Sequence, residues 1–264
     1  MRAKKSLGQN FLRDETVISR IVDALDLRNN ETVIEIGPGQ GALTGRLLAD
    51  ARKLIAIEFD QDMISLLRER FRSFGNFLLI NDDALNVDFA TILKTAGADG
   101  KPKFIANLPY NISTPILQRL IDQRHLFSRI VLMFQREVVE RITASAGGKE
   151  RGFLSVLVEN AFDAEYLFDV PPQAFQPVPK VWSAVVRLSP KQSSLPDEAL
   201  YRRIVSVGFS QKRKNILNNM KTIFPDSAAF LEQSGIDSRR RAETLTLVEW
   251  LRLTEAIKND RNVY

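Results

Sequence analysis

From residue 32 onward, short apolar runs alternate with longer amphipathic stretches. The short runs are apolar at successive positions, which is typical of strands buried on both faces of a parallel sheet. The longer stretches carry apolar residues at helical spacing. The predicted strands are Thr32–Ile36, Leu54–Glu58, Phe77–Asn81, Lys103–Asn107 and Arg129–Gln135. The predicted helices between them are Ala42–Ala51, Gln61–Phe74, Asp88–Thr95 and Thr114–Arg124. This alternation predicts a doubly wound α/β sandwich.

After residue 135 the alternation changes. Two helical stretches, Arg136–Ala144 and Phe153–Phe162, are followed by two more apolar runs, Tyr166–Val170 and Val181–Leu188. The corner between these runs is rich in proline and too short for a crossover helix, so we expect an antiparallel strand pair.

A polar segment, "SPKQSSLPDE" at residues 189–198, has the composition of a linker, and no strand pattern follows it. The predicted helices beyond it are Leu200–Phe209, Lys212–Ile223, Ser227–Gln233 and Leu247–Lys258. We therefore predict two domains: residues 1–190 form the α/β domain and residues 191–264 form a small all-helical domain.

The composition excludes several kinds of catalytic and metal site. The 264 residues include no cysteine and one histidine, His125. Disulfides, thiolate metal sites and cysteine nucleophiles are therefore excluded, no metal site is predicted, and a Ser-His-Asp triad has little scope. No apolar run approaches the roughly 18 residues that a membrane span needs. The basic N-terminus is not followed by an apolar stretch, so no signal peptide is predicted. The expectation is a soluble cytoplasmic protein that does not bind a membrane.

Positive charge is concentrated at the two ends of the chain. The formal net charge is +5, from 37 lysines and arginines against 32 aspartates and glutamates. Residues 191–264 hold 13 basic and 9 acidic residues, or +4, and residues 1–13 add four basic residues and no acid. The middle of the chain is therefore net −3. This distribution suits a protein that holds a polyanion away from its central fold, although solvated surface charge would look the same.

The segment "EIGPGQGALTGRLL" places Gly37, Gly39 and Gly41 between the first predicted strand and helix. Glycines there let the backbone turn tightly and approach a ligand beside a helix N-terminus. Glu58 ends the second strand, where it can accept hydrogen bonds from a ribose diol. Asp83 follows the third strand, where it can accept from an adenine amino group. Together these residues predict an adenosine-containing cofactor at the carboxyl edge of the sheet.

The glycine spacing separates two classes of cofactor. A nicotinamide-binding loop has the spacing G-x-G-x-x-G, whereas this loop is G-P-G-Q-G. It resembles the E-x-G-x-G-x-G loop of S-adenosylmethionine-dependent methyltransferases, as does the final strand pair. A dehydrogenase remains the alternative, and it would bind a nicotinamide cofactor in preference to S-adenosylmethionine.

The segment "NLPY" directly follows the strand that ends at Asn107. An exocyclic adenine amine is a poor nucleophile, because its lone pair is delocalised into the ring. Hydrogen-bond acceptors for its N–H groups and an aromatic face for the increasingly positive ring would favour its methylation. We expect the acceptors to be the Asn107 side-chain oxygen and the Leu108 carbonyl. Pro109 would fix the backbone, and Tyr110 would stack on the base.

Five segments together identify a resemblance that runs over nearly the whole chain, in order and with compatible spacing. They are "SLGQNFL", "EIGPGQGALT", "NLPYNIS", "FQREVVERI" and "FQPVPKVWSAVVRL". They resemble the rRNA adenine N6-dimethyltransferase family, which implies a Rossmann-like methyltransferase fold with S-adenosylmethionine as the methyl donor. The basic segment "GFSQKRKNILNNMK" is similar to the KsgA branch. That branch dimethylates two adjacent adenosines near the 3′ end of small-subunit rRNA. The alternative is the Erm branch, which methylates large-subunit rRNA.

The resemblance also implies site residues. A second stacking aromatic is implied at Phe175, opposite Tyr110, so that a target base leaving its stack is clamped. The implied cofactor contacts are Asn10, Leu12, Gly37, Glu58, Asp83 and Asn107. Arg151 departs from the family pattern, which has an aromatic residue there, and this puts local packing or a substrate contact in doubt.

Basic residues in the second domain are expected to contact RNA phosphates, which positions RNA without reading its sequence. The expected contacts are Arg202, Arg203, Lys212, Arg213, Lys214, Lys221, Arg239, Arg240 and Arg241, with Lys4 and Lys5 near the RNA entrance. The expected partner is an assembly intermediate of the small ribosomal subunit containing 16S rRNA, bound by a monomer. A ribosome-assembly or binding factor that keeps the fold without the catalysis remains an alternative.

Overall fold

The computed structural model describes residues 4, 9–109, 112–192 and 197–260. The chain forms two compact units: Met1–Val139 with Asp163–Lys191, and Glu140–Phe162 with Gln192–Tyr264. The chain passes from the first unit to the second after residue 191, close to the boundary proposed from the sequence. It also makes an earlier excursion, in which residues 140–162 belong to the second unit.

Over its described residues, the first unit is built on two sheets and the helices α1 to α5. Its strands are β1 (Phe11–Leu12), β2 (Thr32–Ile36), β3 (Lys53–Glu58), β4 (Phe77–Asn81), β5 (Lys103–Asn107), β6 (Arg129–Gln135), β7 (Phe162–Val170), β8 (Phe175–Gln176) and β9 (Ser183–Pro190). Its helices are α1 (Glu15–Asp23), α2 (Thr44–Asp50), α3 (Gln61–Arg70), α4 (Phe89–Thr95) and α5 (Ser113–Asp122). The five strands β2 to β6 lie where the sequence predicts them, to within one residue at the start of β3, and the predicted α/β fold is confirmed.

The large sheet has the order β4-β3-β2-β5-β6-β9-β7. The strands from β4 to β6 are parallel, and β9 is antiparallel to β6. The chain starts in the middle at β2, moves outward to β4, and returns to the other side of β2 as β5. The strand order therefore reverses between β2 and β5, and ligands bind at such a switch point, beyond the carboxyl ends of the strands.

Burial explains why these runs form strands. Every residue of β2 is buried, as are five of the six in β3. Helices α1 and α2 pack their apolar faces into the same core, through residues such as Ile21 and Leu47. Strand β4 is less buried because it lies at the edge of the sheet.

The second unit is helical over its described residues. Helix α6 (Arg136–Ile142) crosses the boundary between the units, and the remaining helices are α7 (Phe153–Ala161), α8 (Glu198–Gly208), α9 (Ile216–Met220), α10 (Ser227–Gln233) and α11 (Leu247–Lys258). Trp250 is fully buried, and its ring stacks on Phe209 at 5.8 Å between centroids. Helix α11 begins with a capping box in which Thr246 and Glu249 bond each other's backbone N–H groups.

Arg151 belongs to the core of this helical unit. Its side chain is fully buried and donates hydrogen bonds to the carbonyl oxygens of Ala144 and Leu245, at 2.9 and 3.2 Å. It also pairs with the Glu159 carboxylate at 2.6 Å. A buried charge needs this kind of compensation. The departure from the family pattern at Arg151 therefore has a packing role within the unit.

The basic run at residues 212–214 does not lie on a helix, and the prediction of a helix from Lys212 to Ile223 was wrong at its start. Helix α9 begins at Ile216, because the side chain of Asn215 caps it by accepting from the N–H of Asn218 at 2.9 Å. Lys212, Arg213 and Lys214 form an exposed turn before that cap.

Within the described parts of the chain, no helix combines the length and the apolar character needed to cross a bilayer.

Candidate active site

A cavity of about 260 Å³ opens at the carboxyl ends of β2, β3 and β5, in the first unit. Most residues that the sequence predicted to hold a cofactor line it. The predicted residues in the lining are Asn10, Leu12, Gly37, Gly39, Glu58, Asp83, Asn107, Leu108, Pro109 and Phe175. Tyr110 lies outside the described residues.

The glycine loop forms one wall of the cavity. Gly39 has a φ of +55°, and a Cβ there would lie 3.3 Å from ring atoms of Phe11. Its N–H donates to Glu58 Oε2 at 3.0 Å. The left-handed backbone and the close ring both favour glycine at this position.

Gly41 has a different role from the predicted one. It is not among the described residues that line the cavity. Its φ is +80°, and a Cβ would lie 2.6 Å from Cε2 of Phe71. Gly41 therefore allows the loop to pack closely against the residue that follows α3, and its effect on the cavity is indirect.

Glu58 is a buried carboxylate at the end of β3. Its Oε1 accepts from the N–H groups of Phe59 and Asp60, both at 2.9 Å, and its Oε2 accepts from Gly39. Burial raises the pKa of Glu58, and these three N–H groups oppose the rise. A carboxylate has about four acceptor positions. These three bonds leave Oε2 one position for a ligand hydroxyl, so the predicted diol contact reduces to one direct hydrogen bond in this geometry.

Asp83 lies half-buried in the turn after β4 and faces the same cavity. Its Oδ1 accepts from the N–H of Leu85 at 2.9 Å, and its Oδ2 accepts from Asn86 Nδ2 at 3.3 Å. Each oxygen keeps a further acceptor position. The turn therefore fixes the carboxylate while leaving it able to accept from an amino group.

Glu35 is a cavity residue that the sequence analysis did not single out. It is 1% exposed, and its Oε2 accepts from Thr44 Oγ1 at 2.8 Å. Burial raises the pKa of Glu35 to about 8, the Thr44 bond opposes this, and the nearby Glu58 carboxylate adds to it. The available signal was a carboxylate inside a run predicted to be wholly buried, which is rare without a partner or a function.

Phe59 is another cavity residue that was missed. It directly follows Glu58, lines the cavity and is 63% exposed. A phenyl ring with this exposure beside two carboxylates can cover the face of a planar ligand. Its position next to the strand-ending acid was the signal in the sequence.

The N-terminal segment supplies another wall. Asn10, Phe11 and Leu12 line the cavity, and β1 pairs with β8 so that Leu12 lies opposite Phe175. Phe175 is 4% exposed and belongs to the core cluster as well as the lining. Its ring is therefore held in place by packing at the cavity wall, and its part in a clamp stays a prediction.

Two side chains of this segment contact carboxylates at the start of α3. Lys4 Nζ lies 2.6 Å from Asp60 Oδ1 and 2.7 Å from Asp62 Oδ2. Gln9 Nε2 donates to Asp60 Oδ2 at 2.7 Å. Lys4 was predicted to contact RNA, but here two carboxylates already compensate its charge. Lys5 lies outside the described residues.

The corner after β5 carries the predicted catalytic groups. Asn107 is the last residue of β5 and is half-buried, and its strand position lies opposite Met133 of β6. Leu108 is buried and Pro109 half-buried. Asn107, Leu108 and Pro109 thus line the same cavity as Phe175.

The basic residues predicted to bind RNA lie outside the cavity lining and are mostly exposed. The exposed members are Arg203, Lys212, Arg213, Lys214, Lys221, Arg239 and Arg241, and Arg202 is partly buried. Arg239 pairs with Asp237 at 2.9 Å, and Arg241 approaches Glu243 at 3.9 Å.

Arg240 differs from these neighbours because it holds the helical unit together. Its guanidinium forms a two-pronged contact with the Glu249 carboxylate and donates to the Thr244 carbonyl oxygen at 2.6 Å. Its charge is therefore largely committed to the start of α11.

Comparison with known proteins gives consistent matches over nearly all of the chain. The sequence model of one family, described as "Ribosomal RNA adenine dimethylase", matches residues 1–259. A protein named "Ribosomal RNA small subunit methyltransferase A" from Pseudomonas fluorescens is 42% identical over 260 residues, covering 97% of this chain and 94% of its own length. The protein of the same name from Geobacter sulfurreducens is 43% identical over 267 residues, covering 97% and 96%.

Two solved structures share the fold across both units. A dimethyladenosine transferase from Plasmodium falciparum has a TM-score of 0.78 and 27% identity, with 92% of this chain and 95% of that chain covered. The 23S rRNA methyltransferase ErmE has a TM-score of 0.73 and 27% identity, with 95% and 100% covered.

Proposed function

The chain belongs to the ribosomal RNA adenine dimethylase family, and on that premise we propose that it dimethylates 16S rRNA. In this proposal, methyl groups pass from S-adenosylmethionine to N6 of two adjacent adenosines near the 3′ end of the RNA. The products are N6,N6-dimethyladenosines, formed during assembly of the small subunit.

One observation carries the proposal. The carboxylates of Glu58 and Asp83 and the amide of Asn107 line a single cavity at the switch point of the sheet. The first two suit an adenosine-containing donor, and the third suits an amine to be methylated. Bringing a methyl donor and an amine together in one cavity is the main requirement for direct transfer.

The residues present fit S-adenosylmethionine. Glu58 keeps an open acceptor position for a ribose hydroxyl, and Asp83 keeps acceptor positions for an adenine amino group. The exposed ring of Phe59 can cover a purine face. Gly39 lets the loop backbone come close to the ligand, since no side chain intervenes. When bound, S-adenosylmethionine supplies an electrophilic methyl group.

The residues after β5 would prepare the amine. Asn107 Oδ1 and the Leu108 carbonyl oxygen would accept hydrogen bonds from the two N–H groups, which favours the pyramidal, partly cationic nitrogen needed for attack. In the second transfer only one N–H remains, so either acceptor must suffice alone. The methylated ammonium is acidic enough to lose its proton readily, and no strong base is required.

Aromatic residues would hold the target base outside its stack. Phe175 is fixed by packing and faces the cavity, so it can lie against the flipped ring at little entropic cost. Tyr110, adjacent to Pro109 in the chain, is proposed as the opposite face of this clamp.

The exposed basic residues of the helical unit are proposed to hold the RNA backbone, with the turn at 212–214 as the densest group. All proposed catalytic and cofactor contacts come from one chain, so a monomer suffices. We therefore also propose that the protein acts in the cytoplasm, on an assembly intermediate of the small subunit.

The decisive experiment supplies labelled S-adenosylmethionine with unmodified small subunits, large subunits and naked 16S rRNA in parallel, followed by digestion to nucleosides. The expected result is N6,N6-dimethyladenosine from small subunits alone. Label in large-subunit RNA would move the substrate to the other ribosomal subunit. Tight subunit binding without any transfer would contradict the catalytic proposal.

A further inference from the structure

The loop between β8 and β9 exposes apolar side chains to solvent. Val178 is 61% exposed, Val181 41% and Trp182 46%, and Lys180 between them is also exposed. Tryptophan is highly buried on average, and contiguous exposed apolar residues commonly mark interaction sites. This loop contributes nothing to the cofactor contacts described above.

The strand register places Trp182 at the same edge of the sheet as the catalytic corner. Asn107 lies opposite Met133, and Met133 lies opposite Val185. Trp182 is three residues before Val185, beyond the end of β6. With strands about 4.8 Å apart and about 3.3 Å per residue, the Cα atoms of Trp182 and Asn107 are about 14 Å apart. That distance spans a few nucleotides of an RNA strand.

Backbone contacts fix the position of Trp182. Its carbonyl oxygen accepts from the N–H of Arg136 at 2.9 Å, and the next residue, Ser183, pairs with Gln135 at the end of β6. The indole is therefore carried by the end of a strand rather than by a free loop. Its ring remains available to a ligand because it is nearly half exposed.

The charges around the ring favour a nucleic acid over an apolar protein surface. Lys180 lies two residues before Trp182, and the side chain of Arg136 is 47% exposed, with Asp169 at 3.9 Å. An aromatic face combined with cations is the composition that binds single-stranded RNA, through stacking on the base and pairing with its phosphate. The same segment also carries Phe175 on the cavity wall.

We propose that Trp182 stacks on a nucleotide that flanks the target adenosine, while Lys180 contacts the adjoining phosphate. The identity of the RNA rests on the proposed function, but the stacking contact can be measured without methyl transfer. Trp182 and Lys180 would hold the RNA strand on one side of the cavity, and this favours target bases presented in an unpaired segment.

Tryptophan fluorescence tests the contact directly. The chain has two tryptophans, and Trp250 is fully buried. Titration with a hexamer of adenosine ribonucleotides is expected to quench the exposed emission component, and Trp182→Phe is expected to abolish that change. A hexamer with the same phosphates but abasic sugars is the matched probe. Equal quenching by both hexamers, or no quenching by the adenosine hexamer, would overturn stacking.

Methyl transfer to small subunits provides the second test. Trp182→Ala is expected to raise the KM for subunits about tenfold, or about 1.4 kcal/mol, with unchanged affinity for S-adenosylmethionine. Trp182→Phe keeps an aromatic face and should remain within about threefold of the wild type. Trp182→Leu keeps apolar area without that face and should resemble alanine. An unchanged KM in the alanine variant, or full rescue by leucine, would refute the proposal.

Discussion

The Glu58 carboxylate orders the backbone on both sides of the cavity, since it accepts from Gly39 in the glycine loop and from Phe59 and Asp60 after β3. Three N–H donors fix its orientation, and the residue lines the cavity. Asn107 works differently, because its side chain is carried by a strand end whose backbone is already paired. In the proposed mechanism Glu58 would bind the donor, whereas Asn107 would prepare the amine for methylation.

Replacing Asn107 by alanine should therefore slow methyl transfer. We expect a decrease of about 10–100-fold in the single-turnover rate. This corresponds to the loss of one charge-assisted hydrogen bond from the partly cationic amine to Asn107 Oδ1. Rapid-quench measurement with small subunits and saturating S-adenosylmethionine gives this rate.

Asn107→Asp is the companion variant, because it keeps an acceptor at the same position and should lose less than alanine. A rate for Asn107→Ala equal to that of the wild type would remove this side chain from the mechanism.

Glu35 should make stability depend on pH. Its folded pKa is raised to about 8 by burial, above the ordinary value of 4.5. Between these values the folded state holds a proton that the unfolded state has released, so stability falls as pH rises through this window. Glu35→Gln removes the titration while its amide oxygen can still accept from Thr44.

The stabilising effect of Glu35→Gln should thus be small near pH 5 and grow toward pH 8, by up to about 1.4 kcal/mol per pH unit. Urea unfolding of both proteins at the two pH values measures it. A constant difference between the midpoints would show that the carboxyl does not carry the predicted proton.

Elements with strong patterns were predictable, and their ends were less so. The bounds of β2, β4, β5 and β6 agree with the prediction, because the apolar run of each strand ends at a polar residue or a glycine. The predicted helix from Gln61 continued to Phe74, but α3 ends at Arg70. The apolar spacing persists past the helix because Phe71 packs against Phe74 and Phe77 in non-helical backbone.

The cavity lining was predictable where residue type and strand end coincide, as for Glu58 and Asp83. It was not predictable for Gly41, whose role depends on the distant ring of Phe71. Residues 140–162 were assigned to the wrong unit, because periodicity shows that α7 has a buried face but not which core buries it. The bond from Tyr201 to the Val156 carbonyl oxygen ties α7 to α8.

The N-terminal wall of the cavity depends on Asp60, so Asp60→Asn should weaken binding of the donor. Asparagine can still cap α3, but it loses the charge that holds Lys4 and one acceptor for Gln9. We expect an increase of about 3–10-fold in the Kd for S-adenosylmethionine, measured by calorimetry, and faster hydrogen exchange at Phe11 and Leu12.

Asp88→Asn is the matched control, because Asp88 caps α4 in the same way and lies outside the cavity lining among the described residues. It should leave both measurements unchanged. An unaltered Kd in Asp60→Asn would mean that the segment keeps its place without these contacts.

At the scale of the whole molecule, charge and chemistry are divided between the two units. The residues proposed to bind the donor and the amine lie in the first unit, whereas the exposed basic run from Lys212 to Lys214 lies in the second. Contacts to phosphate fix register without reading sequence. The helical unit would therefore govern affinity for RNA, and the cavity would govern which atom is methylated.

Reversing Arg213 and Lys214 to glutamate should lower affinity for small subunits. It should also reduce the slope of log K against log salt concentration by about 1–2, because binding with fewer phosphate contacts releases fewer counterions. Filter binding at several salt concentrations measures both quantities. The control reverses Lys94 and Lys101, two exposed lysines of the first unit. Each pair changes the net charge equally, from +5 to 5 − 4 = +1. Only the reversal of Arg213 and Lys214 should lower the slope. An equal change in both variants would indicate a general effect of net charge and would refute a localised RNA contact at the turn.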